Sequence, residues 1–156
     1  MMKNALIILS GLCMLLTGSL ACKTNSMTIP NTNMETNNSD TMSSQLKIRI
    51  GTKTFTATLL NNQATTAFKA RLPMTVSMSE LNGNEKLYRF PTNLPTSSSN
   101  PGTIHTGDLM LYGSNTLVLF YQSFPTPYSY TKLGRIDDPA GLAAAVGSGS
   151  VTVTFE

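Results

Sequence analysis

The sequence has no tryptophan, one histidine and two cysteines in 156 residues, and charged side chains make up 12% of it. The single histidine, His105, is not accompanied by a cluster of cysteines or carboxylates, so we predict no metal site and no cofactor. Lysine and arginine are scattered along the chain and leave a net charge of only +3. Since no basic face and no stripe of basic and aromatic residues results, nucleic acid is not a predicted partner.

Long hydrophobic runs are also missing, except at the N-terminus. There, Lys3 precedes an apolar stretch over residues 5–16, which is too short to span a bilayer. The small residues that follow it end at Cys22, within the sequence TGSLAC at positions 17–22. This arrangement resembles a bacterial lipoprotein signal, which implies that residues 1–21 are a signal peptide and that Cys22 carries acyl chains.

A lipid on Cys22 predicts a protein anchored to a membrane of the cell envelope, at the outer membrane or the cell surface. An ordinary secretory peptide cut near Ala21 is the alternative. Cys13 lies in the segment that would be removed. The mature chain would then keep a single cysteine and form no internal disulfide.

Residues 22–44 are rich in threonine, asparagine, serine and methionine and almost free of leucine, valine and aromatic residues. Such a segment buries too little apolar surface to offset its ordering entropy, so we predict a flexible tether. From residue 45 the pattern changes to alternating apolar and polar residues. Residues 45–156 are therefore predicted to form a single folded domain.

The first half of this domain shows strand periodicity, interrupted once. Asn62 is a predicted N-cap of a short helix that ends before Pro73, and Asn82-Gly83 is a tight-turn signal. Strands are predicted over residues 46–50, 54–59, 74–78 and 87–90.

In the second half, two nearly continuous apolar runs, 109–112 and 116–121, predict strands that are covered on both faces. Asp138-Pro139 is predicted to open a helix over residues 140–146, and residues 91–107 form a long irregular loop. Further strands are predicted over residues 128–136 and 151–155. Many strands and two short helices favour a mainly β fold, a closed antiparallel barrel, because closure removes exposed edges.

Four segments together resemble the bacterial cyclophilin-like domains. They are GDLMLY at 107–112, LVLFY at 117–121, GRIDDP at 134–139 with Leu142, and the end of the first helix at Leu72-Pro73-Met74. The resemblance covers residues 46–155. It implies a barrel of about eight strands with a short capping helix at each end.

Peptidyl-prolyl isomerase activity follows less directly from the resemblance. In cyclophilins the catalytic arginine lies on the strand after the first helix, within a Phe-His-Arg-type motif. Here the corresponding strand reads MTVSMSEL over residues 74–81 and contains no arginine. No family catalytic residue can be transferred. Arg89 and Arg135 are the two arginines that could act as amide donors in a rearranged site. Otherwise Arg89 is solvated and Arg135, beside Asp137, forms a structural ion pair.

A segment rich in aromatic residues and prolines, FPTPYSY at 124–130, is the best candidate for ligand binding. Either it lines a groove or its aromatic residues fold back as a lid on the barrel. The predicted ligand-binding residues of an apolar cleft are Met74, Tyr88, Phe90, Phe124, Tyr128 and Tyr130.

We therefore predict a lipid-anchored binding module that holds peptide segments or a small ligand. The alternatives are a peptidyl-prolyl isomerase and a structural subunit of an envelope complex.

The remaining carboxylates receive structural interpretations. Glu80 and Glu85 are predicted to be solvated charges of a hairpin, and Asp137 and Asp138 to mark the start of a helix.

Overall fold

The computed structural model describes residues 45–156. It begins with a hairpin of β1 (Gln45–Ile50) and β2 (Lys53–Leu59), in which buried and exposed residues alternate as predicted. The turn between them contains Gly51 with a φ of 57°, a value that glycine adopts without steric cost.

Helix α1 (Gln63–Lys69) follows, and its predicted cap is confirmed. The Asn62 side-chain oxygen accepts a hydrogen bond of 2.8 Å from the backbone N–H of Thr65, which satisfies one of the free donors of the first turn. Phe68 is fully buried and packs edge-on against Phe155 with 5.9 Å between ring centroids. The helix therefore contributes its apolar face to the core of the barrel.

The remaining elements are β3 (Met74–Leu81), β4 (Glu85–Arg89), β5 (Thr103–Ile104), β6 (Asp108–Tyr112), β7 (Thr116–Phe120), β8 (Phe124–Pro125), β9 (Thr131–Ile136), α2 (Leu142–Val146) and β10 (Val151–Phe155). Eight strands close an antiparallel barrel in the order β1-β10-β3-β4-β7-β6-β9-β2, and β5 pairs with β8 beside it. The fold class is confirmed: a mainly β, closed eight-stranded barrel with two short helices.

Several element boundaries differ from the predictions, since β3 extends to Leu81 and β4 covers Glu85–Arg89, and two further differences have a clear cause. The strand predicted from residue 128 begins at Thr131, because the preceding residues belong to a segment that pairs elsewhere through Ser99 and Tyr130. Helix α2 begins at Leu142 after the N-cap Gly141. Asp138 does not cap it, because its carboxylate accepts the N–H of Ala140 and forms a local turn that delays the helix.

Buried apolar side chains form two clusters, one on each side of the β6–β7 sheet. On β7, Leu117 and Leu119 belong to the large cluster inside the barrel. Val118 and Phe120 belong to a smaller cluster on the outer face, where Ile104 of β5, Phe124 of β8 and Tyr130 cover them. The predicted burial of these strands on both faces is therefore confirmed. The candidate site lies next to the outer cluster.

Candidate functional site

A groove of about 200 Å³ lies on the outer face of the barrel, next to the β3–β4 turn. Two strand residues on the same side of β4 contribute to it, Glu85 and Leu87, which lie opposite Phe120 and Val118 of β7. We call it the tyrosine groove. Its lining residues are Leu81, Asn82, Glu85, Leu87, Tyr112, Thr116, Val118, Tyr128 and Tyr130.

Three tyrosines from two parts of the chain form the aromatic wall of the groove. The ring of Tyr112, at the end of β6, lies 6.2 Å from that of Tyr128 at 83° and 5.5 Å from that of Tyr130 at 50°. Tyr130 is held in place because its backbone exchanges two 3.0 Å hydrogen bonds with Ser99. Its ring also packs edge-on against Phe120. The long loop thus fixes one wall of the groove.

The groove concentrates exposed apolar surface. Tyr128 is 58% exposed, Tyr112 47% and Leu81 41%. They are three of the four large apolar residues that are exposed within residues 45–156, and the fourth, Leu60, lies elsewhere. Scattered exposed apolar residues are normal on a protein surface, whereas large contiguous apolar patches are typical of interaction sites, so this groove is the candidate site.

Glu85 is the ionisable carboxylate among the groove residues, and it is only 8% exposed. Burial raises the pKa of this carboxyl above its usual value, and the negative charge of nearby Glu80 raises it further. Burial also raises the pKa of the Tyr130 hydroxyl, and the charge on Glu85 adds to that effect. Glu85 thus places a carboxyl group close enough to the tyrosines to act on the pKa of Tyr130.

The two glutamates of the hairpin are not the solvated charges that the sequence predicts. Glu80 pairs with Lys86, whose side chain is completely buried. Burial alone would raise the pKa of Glu80, but hydrogen bonds from Lys86, Tyr121 and the backbone of Gly83 outweigh it and hold this pKa below its usual value. Glu85 lies on the outer face of β4, opposite to the face of Lys86, and under the tyrosines. The prediction was wrong because sequence position alone does not show that barrel closure and the outer loop cover this hairpin.

A second depression, of about 570 Å³, lies along β9 and contains charged residues. Arg135 Nε lies 3.6 Å from Asp108 Oδ1, so its ionic partner is Asp108 and not Asp137. The other Asp108 oxygen accepts the backbone N–H of His105, and Asp137 accepts the hydroxyl of Thr58 at 2.7 Å. These carboxylates already have partners within the protein, which makes this depression the weaker candidate.

The predicted ligand-binding residues are divided between two sides of the barrel wall. Tyr128 and Tyr130 line the tyrosine groove, and Phe124 packs in the outer cluster 5.8 Å from Phe120. The other three, Met74, Tyr88 and Phe90, pack with the inner cluster. They do not share a cleft with the tyrosines, because alternate residues of a strand point to opposite faces.

Of the two candidate arginines, Arg89 lies nearer to the tyrosine groove. It is exposed on β4, two residues beyond Leu87 and so on the same face, and its cross-strand partner Thr116 lines the groove. Arg135 lines the other depression.

Sequence reasoning missed Glu85, Leu81 and Tyr112 as groove residues. The period of β4 does place Glu85 on one face with Leu87. However, the pairing of β4 with β7 and the position of Tyr112 beside Tyr128 depend on contacts between distant segments, which no local pattern reveals.

The family model of the Cyclophilin-like family matches residues 48–156. The chain belongs to this family, in agreement with the eight-stranded barrel and with the resemblance seen in the sequence. No curated protein matches the chain.

Residues 45–156 contain no group of three or more histidine, cysteine or carboxylate side chains placed to hold a metal ion. In the same part of the chain, no helix combines the length and the apolar character that crossing a bilayer requires. The lipidation site predicted at Cys22, the signal peptide and the tether lie outside the described residues.

Proposed function

We propose that this domain is a binding module that holds a peptide segment or a small amphipathic ligand in the tyrosine groove. The observation that carries the proposal is the concentration of exposed apolar surface there, in Leu81, Tyr112 and Tyr128. Binding sites combine such apolar walls with a few polar groups. Here Asn82, Thr116 and Glu85 supply the polar groups.

We further propose that the module works at a membrane of the cell envelope, held there by acyl chains on Cys22. Support comes from the N-terminal sequence, where the apolar stretch 5–16 and the small residues before Cys22 have the order of a lipoprotein signal. An anchored module would search for its ligand close to the membrane surface.

Nuclear magnetic resonance titration of the full-length protein with short proline-containing peptides tests the binding proposal. We expect shifts centred on residues 112 and 124–130. Leu81→Ser should weaken binding by about tenfold, or about 1.4 kcal/mol, because it removes apolar contact from the groove wall. Leu60→Ser is the matched control, since Leu60 is similarly exposed at 46% but lies in the other depression.

An equal effect of the two serine variants would contradict the proposal, as would shifts confined to residues around β9. In either case the tyrosine groove would not be the site of contact.

Peptidyl-prolyl isomerisation is the second candidate function, and the position of Arg89 favours it. A donor close to the prolyl nitrogen favours the twisted amide and lowers a barrier of about 18–20 kcal/mol. Arg89 lies on the groove face of β4, and its cross-strand partner Thr116 lines the groove. A proline bound beside Thr116 would place its amide near this end of the groove.

Isomerisation of an X-Pro peptide by the full-length protein tests this candidate. Arg89→Ala should abolish any acceleration, whereas Arg135→Ala should retain it, because Arg135 lies in the other depression. A protein that produces no acceleration, or an Arg89→Ala variant that keeps it, would exclude the candidate.

A further inference from the structure

We propose that the tyrosine groove binds the ammonium group of a lysine side chain, carried on an exposed segment of a partner protein, with Glu85 as its counter-ion. The inference rests on the proposed binding function of the groove and names the chemistry of its ligand.

The first argument is the unbalanced charge of Glu85. Buried carboxylates are normally paired or hydrogen-bonded. The ion pairs formed within residues 45–156 join Lys86 to Glu80 and Arg135 to Asp108, and neither includes Glu85. Burial and the charge of Glu80 act on this carboxyl, with no hydrogen bond to offset them. The carboxyl oxygens of Glu85 are not among the buried atoms left without a hydrogen-bond partner, so they remain open to solvent and to a cation brought by a ligand.

Neighbouring cations of the chain do not serve this purpose. Lys86 adjoins Glu85 in sequence but lies on the other face of β4, where its Nζ donates to Glu80 and to the carbonyl oxygens of Gly147 and Gly149. Arg89 is four residues farther along the strand, about 13 Å away at the usual rise of a β-strand. Glu85 is the charged residue among those that line the groove, so the groove carries a net negative charge.

The tyrosine rings are the second argument. A cation within about 6 Å of an aromatic ring centroid is attracted by the electrons of the ring face. Tyr112, Tyr128 and Tyr130 have centroids 5.5–6.2 Å apart in the two neighbouring pairs and are inclined to each other by 50° and 83°. Rings with different orientations suit a compact cation better than a flat one.

Size is the third argument. At about 200 Å³, the groove is smaller than the cavities of about 300–1,000 Å³ that hold drug-sized ligands, and it suits a single side chain. Lysine carries a compact charge on a flexible apolar stem. The stem can pack along Leu81, Leu87 and Val118 while the ammonium group reaches Glu85.

The test is calorimetric titration of the full-length protein at pH 8 with two peptides, acetyl-Ala-Ala-Lys-Ala-Ala-amide and the same peptide with the lysine acetylated. Acetylation removes the positive charge while retaining the stem. We expect the lysine peptide to bind at least tenfold more tightly. Glu85→Gln should abolish this preference, and Glu156→Gln, the same change at an exposed carboxylate outside the groove, should preserve it.

Each result decides between the two proposals. Equal binding of both peptides to the unmodified protein would overturn the lysine inference and leave the binding function of the groove intact, as would a preference that survives Glu85→Gln. Failure of this lysine peptide and of the proline-containing peptides to bind would overturn both proposals. If n-butylamine binds as tightly as the lysine peptide, the partner is a free amine and the protein partner is excluded.

Discussion

Glu85 and Lys86 are adjacent in sequence and occupy opposite environments. Because β4 alternates its faces, Glu85 lies under the tyrosines and Lys86 points into the barrel. Lys86 Nζ donates to Glu80 and to the carbonyls of Gly147 and Gly149. A buried charge is tolerated when hydrogen-bond partners surround it. The inner charge thus has its partners within the protein, whereas the outer charge forms no ion pair within residues 45–156.

Lys86→Met should destabilise the protein, because it leaves Glu80 without its cation and two carbonyl groups without a donor. Breaking a buried ion pair costs about 3–5 kcal/mol, and we expect the lower end of this range because Glu80 is partly exposed. Denaturant unfolding measures the change. Lys47→Met, at an exposed lysine of β1, is the control and should change stability by less than about 0.5 kcal/mol.

An unfolding free energy of Lys86→Met equal to that of the unmodified protein would show that the Lys86 pair contributes nothing net. In that case the loop at Gly147 and Gly149 would be held by backbone packing alone.

Glu85→Gln should stabilise the protein at neutral pH, by about 0.5–2 kcal/mol as for other single stabilising changes. The pKa of Glu85 is raised by burial and by Glu80, so the folded state holds the Glu85 proton more tightly than the unfolded chain. The stability that this proton provides is complete below the unfolded pKa of about 4.3 and is lost as pH rises through the folded pKa.

Unfolding measured across pH checks the sign of this effect. The gain from Glu85→Gln should be largest at neutral pH and disappear below about pH 4, where Glu85 is protonated in both states. Glu80, with its lowered pKa, acts in the opposite direction and loses its contribution as the pH falls farther. If Glu85→Gln is less stable than the unmodified protein at pH 7, the ionised Glu85 does not destabilise the folded state.

Among the elements, β2 and β9 approach each other unusually closely at one point. Gly134 lies opposite Leu59, and a Cβ atom at Gly134 would come within 2.5 Å of the Thr58 carbonyl oxygen. Since this oxygen belongs to the backbone, the two strands would have to separate. Gly134 is therefore needed for closure of the barrel beside the second depression.

Gly134→Ala should cost about 1–3 kcal/mol, the usual penalty for forcing extra atoms into a packed position. Gly149→Ala is the matched control, because a Cβ atom there meets nothing within 4 Å. Thermal unfolding of the two variants gives the comparison. If both variants unfold at the same temperature, the close approach at Gly134 is not a constraint on the barrel.

Local sequence patterns predicted the elements well wherever the cause of an element is local. Asn62 caps α1 because its side chain reaches a donor three residues away, and Asn82 and Gly83 both adopt the positive φ of a tight turn. Asp138 shows the limit, since a local turn competed with the helix cap and prevailed. Competition between two local motifs is not resolved by either pattern alone.

For the whole molecule, the lipid anchor is the main prediction. Cys22→Ser should transfer the protein from the membrane fraction to the soluble fraction, because the acyl attachment site is lost. The barrel should keep its thermal unfolding, since β1 and β10 close it through pairs within residues 48–155. Fractionation by ultracentrifugation and circular dichroism measure the two effects. Cys13→Ser is the control and should remain in the membrane fraction.

A Cys22→Ser protein that stays in the membrane fraction would contradict lipidation at this residue. One that leaves the membrane but fails to fold would contradict the independence of the barrel.

The sequence by itself determined the class of fold, because periodicity, caps and tight turns act over a few residues. The two apolar runs, 109–112 and 116–121, also predicted strands that are covered on both faces. Only the tertiary structure decided the site. The tyrosine groove joins Glu85, Tyr112 and Tyr128, which meet through the register of β4 on β7 and through the return of the 124–130 segment over the outer face. Those contacts join residues that are far apart in the sequence, and local propensity carries no information about them.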